Sequence, residues 1–311
     1  MITAVDLVKD YRTDKSAPFA GVGSVYGKGV SFCVDDGEIF GVIGPDGAGK
    51  STLFRILASL ILPDKGTACI QGYDVVKNYK SIRKIVGYMP GKFSLYQDLT
   101  VEENLKFFAT VFGTSIKENY YLVEDIYKQI EPFKHRLAGA LSGGMKQKLA
   151  LSCALIHKPE ILILDEPTTG VDPVSRKEFW DILRRLKQEN ITILVSTAYM
   201  DEASRCDRIA LMQNGMFIAT DTPQRIVGDY KQSLWKIKGS NMFHLLKTLR
   251  EYDFIETAFA FGEQHHITVT DDFTPERLQG ELAKKGFENV EIVPCVPSVE
   301  DCFMALSVRE E

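Results

Sequence analysis

The nine residues GPDGAGKST at positions 44–52 constrain this chain more than any other stretch, because they fit the phosphate-binding loop pattern G-x-x-x-x-G-K-[ST] at every fixed position. Such a loop needs a buried strand before it and a helix after it. Both are legible, since EIFGVIG at 38–44 is an apolar run and LFRILASLIL at 53–62 has a helical pattern. Gly44, Gly47 and Gly49 remove side chains, and Pro45, Asp46, Ala48 and Thr52 complete the loop, so that backbone N–H groups and a helix N-terminus face one anion. Lys50 supplies a cation to the β and γ phosphates. Ser51 supplies a hydroxyl oxygen for Mg²⁺, a hard ion that prefers oxygen and phosphate ligands.

A second strand carries the acids such a loop requires. ILILDEP at 161–167 is four apolar residues followed by two carboxylates, the composition of a strand covered on both faces of a parallel sheet. Its acids then emerge at the carboxyl edge of the sheet, where open α/β folds bind ligands. Asp165 is placed to hold Mg²⁺ through water, and Glu166 to orient or deprotonate an attacking water as the catalytic base. Tyr11 is the candidate ring for stacking on a nucleotide base. Tyr26 is the alternative, and a half-buried loop tyrosine is the plainer reading of both.

Around these sites the chain reads as α/β with a helical insertion. Strands are expected at 2–8, on either side of the turn at 35–37, after the turn that opens LPDKGTACIQG, in IRKIVGYMP, at 161–164 and 191–197, and as a pair around Asn214-Gly215. Between 100 and 157 the pattern turns helical, with Leu105, Phe108, Ala109 and Phe112 on one apolar face. Another helix is expected at 175–189. From residue 233 onward 14 acidic residues stand against 8 basic, whereas the earlier part has 28 against 29, which marks a boundary near 232. Beyond it the order strand, helix, strand, strand, helix, strand predicts a small ferredoxin-like α+β domain. His265 and His266 are adjacent on a strand, so their rings point to opposite faces and a shared metal is not expected.

Length and composition, 311 residues with 45% hydrophobic and 25% charged, fit a two-domain globular chain with a sizeable core. No apolar run reaches the roughly 18 residues of a membrane span, and MITAVDLVKDY lacks the apolar core of a signal peptide, so a cytoplasmic chain is expected. Six scattered cysteines without a CxxC pair read as reduced core thiols. The net charge of −5 argues against nucleic acid as a partner.

LSGGMKQ at 141–147 completes the set. With the phosphate loop, this stretch, DEP at 165–167 and GVDP at 170–173 in that order, the chain resembles the ATP-binding-cassette (ABC) family over residues 1–232, with a helical subdomain at about 98–158. The resemblance implies ATP as the nucleotide, hydrolysed with Mg²⁺, and a head-to-tail dimer of cassettes. In that dimer Leu141, Ser142, Gly143, Gly144 and Gln147 would form the signature that meets the other subunit's ATP, and Asp172 the aspartate that links the two sites. Taken alone, Ser142 reads first as the N-cap of the helix containing Met145 to Ile156. DLTVEENL, RLAGALSGGMKQKL and the ending VPSVEDCFMAL resemble the subgroup that drives type-2 exporters, which implies an ATPase peripheral to the inner face of the membrane on separate permease subunits.

Two positions depart from the family. Where its members usually have Gln after GYMP this chain has Gly91, and where they usually have His after LVST it has Ala198. Neither side chain can hydrogen-bond. Losing one preorganised contact to a transition-state charge costs about 10²- to 10³-fold in rate, so the departures imply slow turnover with ATP binding retained. They fit an unequal heterodimer or a regulatory, hydrolysis-deficient cassette, against a homodimer in which Glu166 suffices. A soluble cassette ATPase acting on ribosomes or DNA usually shows tandem cassettes or a long coiled-coil insertion, and this chain has neither.

Overall fold

The computed structural model describes residues 1–12, 20–23 and 28–308, so Tyr26 lies outside the described residues. Two compact units, Met1–Pro223 and Gln224–Glu311, each have an apolar core of their own. The division falls before the change of charge near 232.

The first unit is built on a six-stranded sheet. Val86–Met89, Ile161–Leu164, Thr192–Thr197, Ile39–Ile43 and Arg208–Gln213 lie side by side in that order, all parallel, and Met216–Asp221 closes one edge antiparallel. The closing hairpin turns at Asn214 and Gly215, both at positive φ, as a two-residue turn between twisted strands requires. Ile161, Leu162, Ile163 and Leu164 are completely covered. Cutting any one of them to alanine would remove roughly 2–5 kcal/mol of stability. Because five strands run the same way, residues far apart in sequence emerge at one edge: Gly44, Asp165 and Ala198 each directly follow a strand.

A second sheet of the unit centres on Ile2–Asp10, which pairs antiparallel with Val30–Val34 and Lys65–Ile70. The short strand Gly21–Val22 pairs with Lys9 and Asp10, and a backbone bond from Tyr11 to the Ala20 carbonyl continues that ladder. The helical insertion consists of Val101–Val111, Ile116–Ile130 and Gly143–Leu155. Capping boxes set the first two, Thr100 with Glu103 and Ser115 with Glu118, each satisfying two N-terminal donors. Of the predicted apolar face, Leu105 and Ala109 are fully buried, whereas Phe112 stacks on His157 at 3.9 Å near the surface.

The segment IRKIVGYMP differs from expectation. Only Val86–Met89 is a strand, and Tyr79–Ile85 is helical. A short apolar run beside charged residues fits either period, and here the buried Ile82 anchors a helix turn against the core. The helix after GVDP starts two residues early, at Pro173–Gln188, because Asp172 caps it and proline suits a first helical position.

In the second unit Ser233–Lys238, Ile255–Phe261, Gln264–Val269 and Glu291–Pro294 form an all-antiparallel sheet in which the second strand neighbours the third, the third the first, and the first the fourth. With helices Met242–Leu249 and Pro275–Lys284 on the connections, this is the ferredoxin-like arrangement. A further helix, Val299–Val308, comes after it. His265 Nε2 donates to the Met242 carbonyl at 2.7 Å, and His266 bonds Asp301 at 2.7 Å, so the two rings go to different helices. Among the described residues no cluster of metal-binding side chains occurs, and no helix is long and apolar enough to cross a membrane. All six cysteines are free, but only Cys153, Cys206 and Cys302 are buried. Cys33 is exposed and Cys69 and Cys295 are half-buried, a correction to the expectation of core thiols.

Candidate active site

The phosphate loop is held by backbone too close to admit side chains. A Cβ on Gly44 would lie 2.1 Å from the Met212 carbonyl oxygen, and one on Gly49, at φ 106°, 2.3 Å from that of Gly21. Gly47, also at positive φ, has open space around it. The loop therefore sits between the strand pair at one side and the Gly21 segment at the other, with a bond from Gly215 N–H to the Ala48 carbonyl closing it.

Lys50 opens the helix Lys50–Leu57 and is almost wholly buried. Its Nζ donates to the carbonyls of Gly44 at 2.7 Å and Pro45 at 2.9 Å, and lies 3.0 Å from Glu166 Oε1. Next to it Ser51 Oγ donates to Asp165 Oδ1 at 3.0 Å. Ser196 Oγ donates to the same oxygen at 2.8 Å and accepts from Glu166 N–H at 2.9 Å, fixing the two acids relative to the neighbouring strand. Glu166 itself has φ 47°, a left-handed backbone that a non-glycine residue adopts only at a cost of about 1–2 kcal/mol. A cleft of about 250 Å³ joins Lys50, Ser51, Thr52, Gly47, Gly49 and Glu166 with Tyr11, Ala20 and Gly21. Tyr11 is half exposed at its mouth, where an aromatic face is available to a flat ring.

The remaining predicted residues lie elsewhere. Leu141 is buried, Ser142 accepts from Met145 N–H at 3.4 Å and so caps its own helix, and Gly143 and Gly144 follow in that helix with Gln147 one turn on. A Cβ on Gly144 would meet Ser175 Oγ at 3.1 Å, so the signature lies beside the start of the helix that Asp172 caps. Asp172 is exposed and accepts from the N–H groups of Val174 and Ser175, which holds its carboxyl below the usual carboxylate range. None of these residues lines the Lys50 cleft.

Ser196 and its partners escaped sequence reasoning. Its strand, Thr192–Thr197, carries three hydroxyl residues, so nothing in the sequence singled out Ser196. A charged cluster beside the site gave no signal at all: Glu202, completely buried, takes a hydrogen bond from Thr168 Oγ1 and pairs with Arg176 at 3.0 Å, and Arg176 covers the Tyr199 ring at 4.0 Å.

The family described as ABC transporter matches residues 27–169. The Nod factor export ATP-binding protein I of Rhizobium sp. (strain N33) is 35% identical over 300 residues, covering 94% of this chain and 96% of its own. The chain belongs to the ABC transporter ATP-binding proteins. Another member, the probable multidrug ABC transporter ATP-binding protein YbhF of Escherichia coli (strain K12), is 37% identical over 87% of this chain, which spans only 47% of YbhF's length. Among solved structures, one described as the ATP binding subunit of an ABC transporter has 30% identity and a TM-score of 0.64 over 73% of this chain and 91% of its own. The dimeric structure of the bacterial ABC transporter cassette MJ0796 has 25% identity and a TM-score of 0.63 over 71% and 98%.

Within this ABC cassette the two departures have definite places. A Cβ on Gly91 would lie 3.2 Å from the Asp165 carbonyl oxygen and 3.7 Å from Asp165 Oδ2, so position 91 faces the acid beside Ser51. Ala198 follows the strand whose Thr197 carbonyl accepts from Gly44 N–H, which puts position 198 beside the start of the phosphate loop.

Proposed function

We propose that this chain is the ATP-hydrolysing subunit of an ABC exporter, converting closure of a cassette dimer into movement of separate membrane subunits. One observation carries the reading: Lys50, Ser51, Asp165 and Glu166 are gathered at one end of the sheet by bonds of 3.0 Å or less. Ser51 Oγ and Asp165 Oδ1 offer hard oxygen donors side by side, which suits Mg²⁺. Bound there, the ion would neutralise charge on the phosphate oxygens. Lys50 would hold those oxygens, the loop N–H groups would orient them, and Glu166 would take the proton of the attacking water.

Dimerisation is supported by the signature at residues 141–144, which stands away from the chain's own cleft and so serves a second cassette. The relatives named for multidrug and Nod factor export support export as the direction. A groove of about 340 Å³ between the sheet and the helical insertion, lined by Tyr88, Leu95, Phe108, Phe112 and His157 among others, is the docking surface for the membrane subunit, with a peripheral position on the inner face of the membrane.

A second reading, the hydrolysis-deficient cassette of an unequal pair, is favoured by Gly91 and Ala198, which leave Asp165 and the phosphate loop without a side-chain donor from either position. Steady-state hydrolysis of Mg-ATP by the purified chain, beside Glu166→Gln as a blank, separates the two. Turnover well above the blank supports the motor. Silence with ATP still bound supports the regulatory partner, and failure to bind ATP sinks both.

A further inference from the structure

Resting on the ATPase reading, we infer that Arg176, Glu202 and Thr168 form a positioning network for hydrolysis, in which one buried carboxylate ties together the three segments that carry Glu166, Asp172 and Ala198. Glu202 is almost completely covered, and its two oxygens are divided. Oε2 accepts from Thr168 Oγ1 at 3.0 Å, and Thr168 stands two residues after Glu166 in a tight turn whose Thr169 N–H bonds back to the Glu166 carbonyl. Oε1 takes Arg176 Nε at 3.0 Å, and Arg176 lies one helical turn beyond Asp172, with its N–H on the Asp172 carbonyl. The guanidinium then lies over the Tyr199 ring at 4.0 Å, next in sequence to Ala198. Its second contact, to Asp201, runs to a well-exposed carboxylate and adds little.

An ion pair with its carboxylate this deeply buried is a poor stabiliser, because desolvation offsets its attraction, so its value is better sought in geometry. The geometry here is specific. Ala198 has no side-chain donor, so the corner at 197–199, held by Tyr199 N–H on Thr197 Oγ1 at 3.0 Å, gains a side-chain tie to the helix Pro173–Gln188 from Tyr199 under Arg176. The left-handed turn at Glu166, tied on one side by its N–H to Ser196 Oγ, is tied on the other through Thr168. A catalytic group displaced by about 1 Å can lose about 10²-fold in rate without any loss of binding. The network touches no part of the Lys50 cleft, so these three residues act through Glu166 and the 197–199 corner.

The test uses the full chain in single-turnover hydrolysis, protein in excess over radiolabelled Mg-ATP, with ATP affinity and melting temperature measured on the same samples. Arg176→Lys keeps the charge and loses the planar fork. Thr168→Val removes one hydroxyl and keeps the fold should the half-buried Arg176 site not tolerate change. Positioning predicts that Arg176→Lys slows hydrolysis roughly 10- to 100-fold and Thr168→Val several-fold, with ATP affinity within about twofold and melting within a few degrees. Unchanged rates in both variants overturn the inference, as does a rate that falls only in step with affinity and melting temperature. A wild type that binds Mg-ATP without detectable single-turnover hydrolysis also overturns it and leaves the binding assignment standing. A wild type that binds no Mg-ATP instead defeats the ATPase reading itself.

Discussion

Lys50 Nζ lies 3.0 Å from Glu166 Oε1, so the cation of the phosphate loop and the acid after the next-but-one strand share one ion pair. Phosphate must therefore compete with Glu166 for Lys50. Glu166→Gln removes the competitor, and its ATP affinity is expected to be equal to wild type or several-fold tighter while hydrolysis disappears. Lys50→Met is expected to weaken ATP binding by about 10- to 100-fold, the worth of a hydrogen-bonded charge. Equilibrium titration with a fluorescent ATP analogue reads both. Equal weakening in the two variants would mean that Glu166 supports binding rather than opposing it.

The two departures can be reversed. Ala198→His and Gly91→Gln each restore a donor, and together they are expected to raise the single-turnover rate by about 10²-fold or more. Gly91→Gln requires the Asp165 backbone to yield by a few tenths of an ångström, since the new Cβ would start 3.2 Å from its carbonyl oxygen. Ala198→His, at a half-buried position, should therefore show its gain more cleanly. If neither variant is faster, Glu166 alone sets the rate and the unequal-pair model loses its main support.

His157 gives the groove of the helical insertion a pH dependence. Both ring nitrogens are buried without a hydrogen-bond partner, and burial pushes its pKa down to about 4. The unfolded imidazole titrates near 6.5, so between that pH and about 4 the unfolded chain binds a proton that the folded chain refuses. Stability is complete above the upper limit and falls as pH drops through the window, by at most about 3 kcal/mol. Melting of His157→Phe, which keeps the stack on Phe112, should be less steep in pH there. Parallel slopes would show that the imidazole is not shielded.

Asp301 anchors the last helix of the second unit. Burial pushes its carboxyl up, but hydrogen bonds from His266 and Ser298 outweigh it and hold the group below the usual range. The stability it gives is present at neutral pH and is lost only as pH falls through the carboxylate range. Asp301→Ala should destabilise this unit by about 2–4 kcal/mol, because His266 Nδ1 and Ser298 N–H lose their acceptor. Hydrogen exchange should rise across 233–308 while ATP affinity is unchanged.

The parallel core was legible because its strands are short, apolar and bounded by glycine or acid, and the phosphate loop dictated a helix directly after Ile39–Ile43. The ferredoxin-like order was legible for a similar reason: Leu245 and Leu249 bury one face of a short helix between alternating strands. Tyr79–Ile85 was not, since seven residues cannot separate a helical period from an extended one when four of them are polar or charged. Nor was the Glu202 network. Its members stand 26 and 34 residues apart, and nothing local marks an arginine or a glutamate that will be covered by the fold. Ser142 was legible as a cap and is one.

Glu166 occupies a backbone conformation that glycine would enter without strain. A glycine there would leave the turn relaxed but remove the carboxylate proposed as the base, so the residue best for folding at this position cannot serve the proposed chemistry. Selection for thermostability alone should therefore favour loss of the acid at residue 166, so Glu166→Gly is expected to melt no lower than wild type.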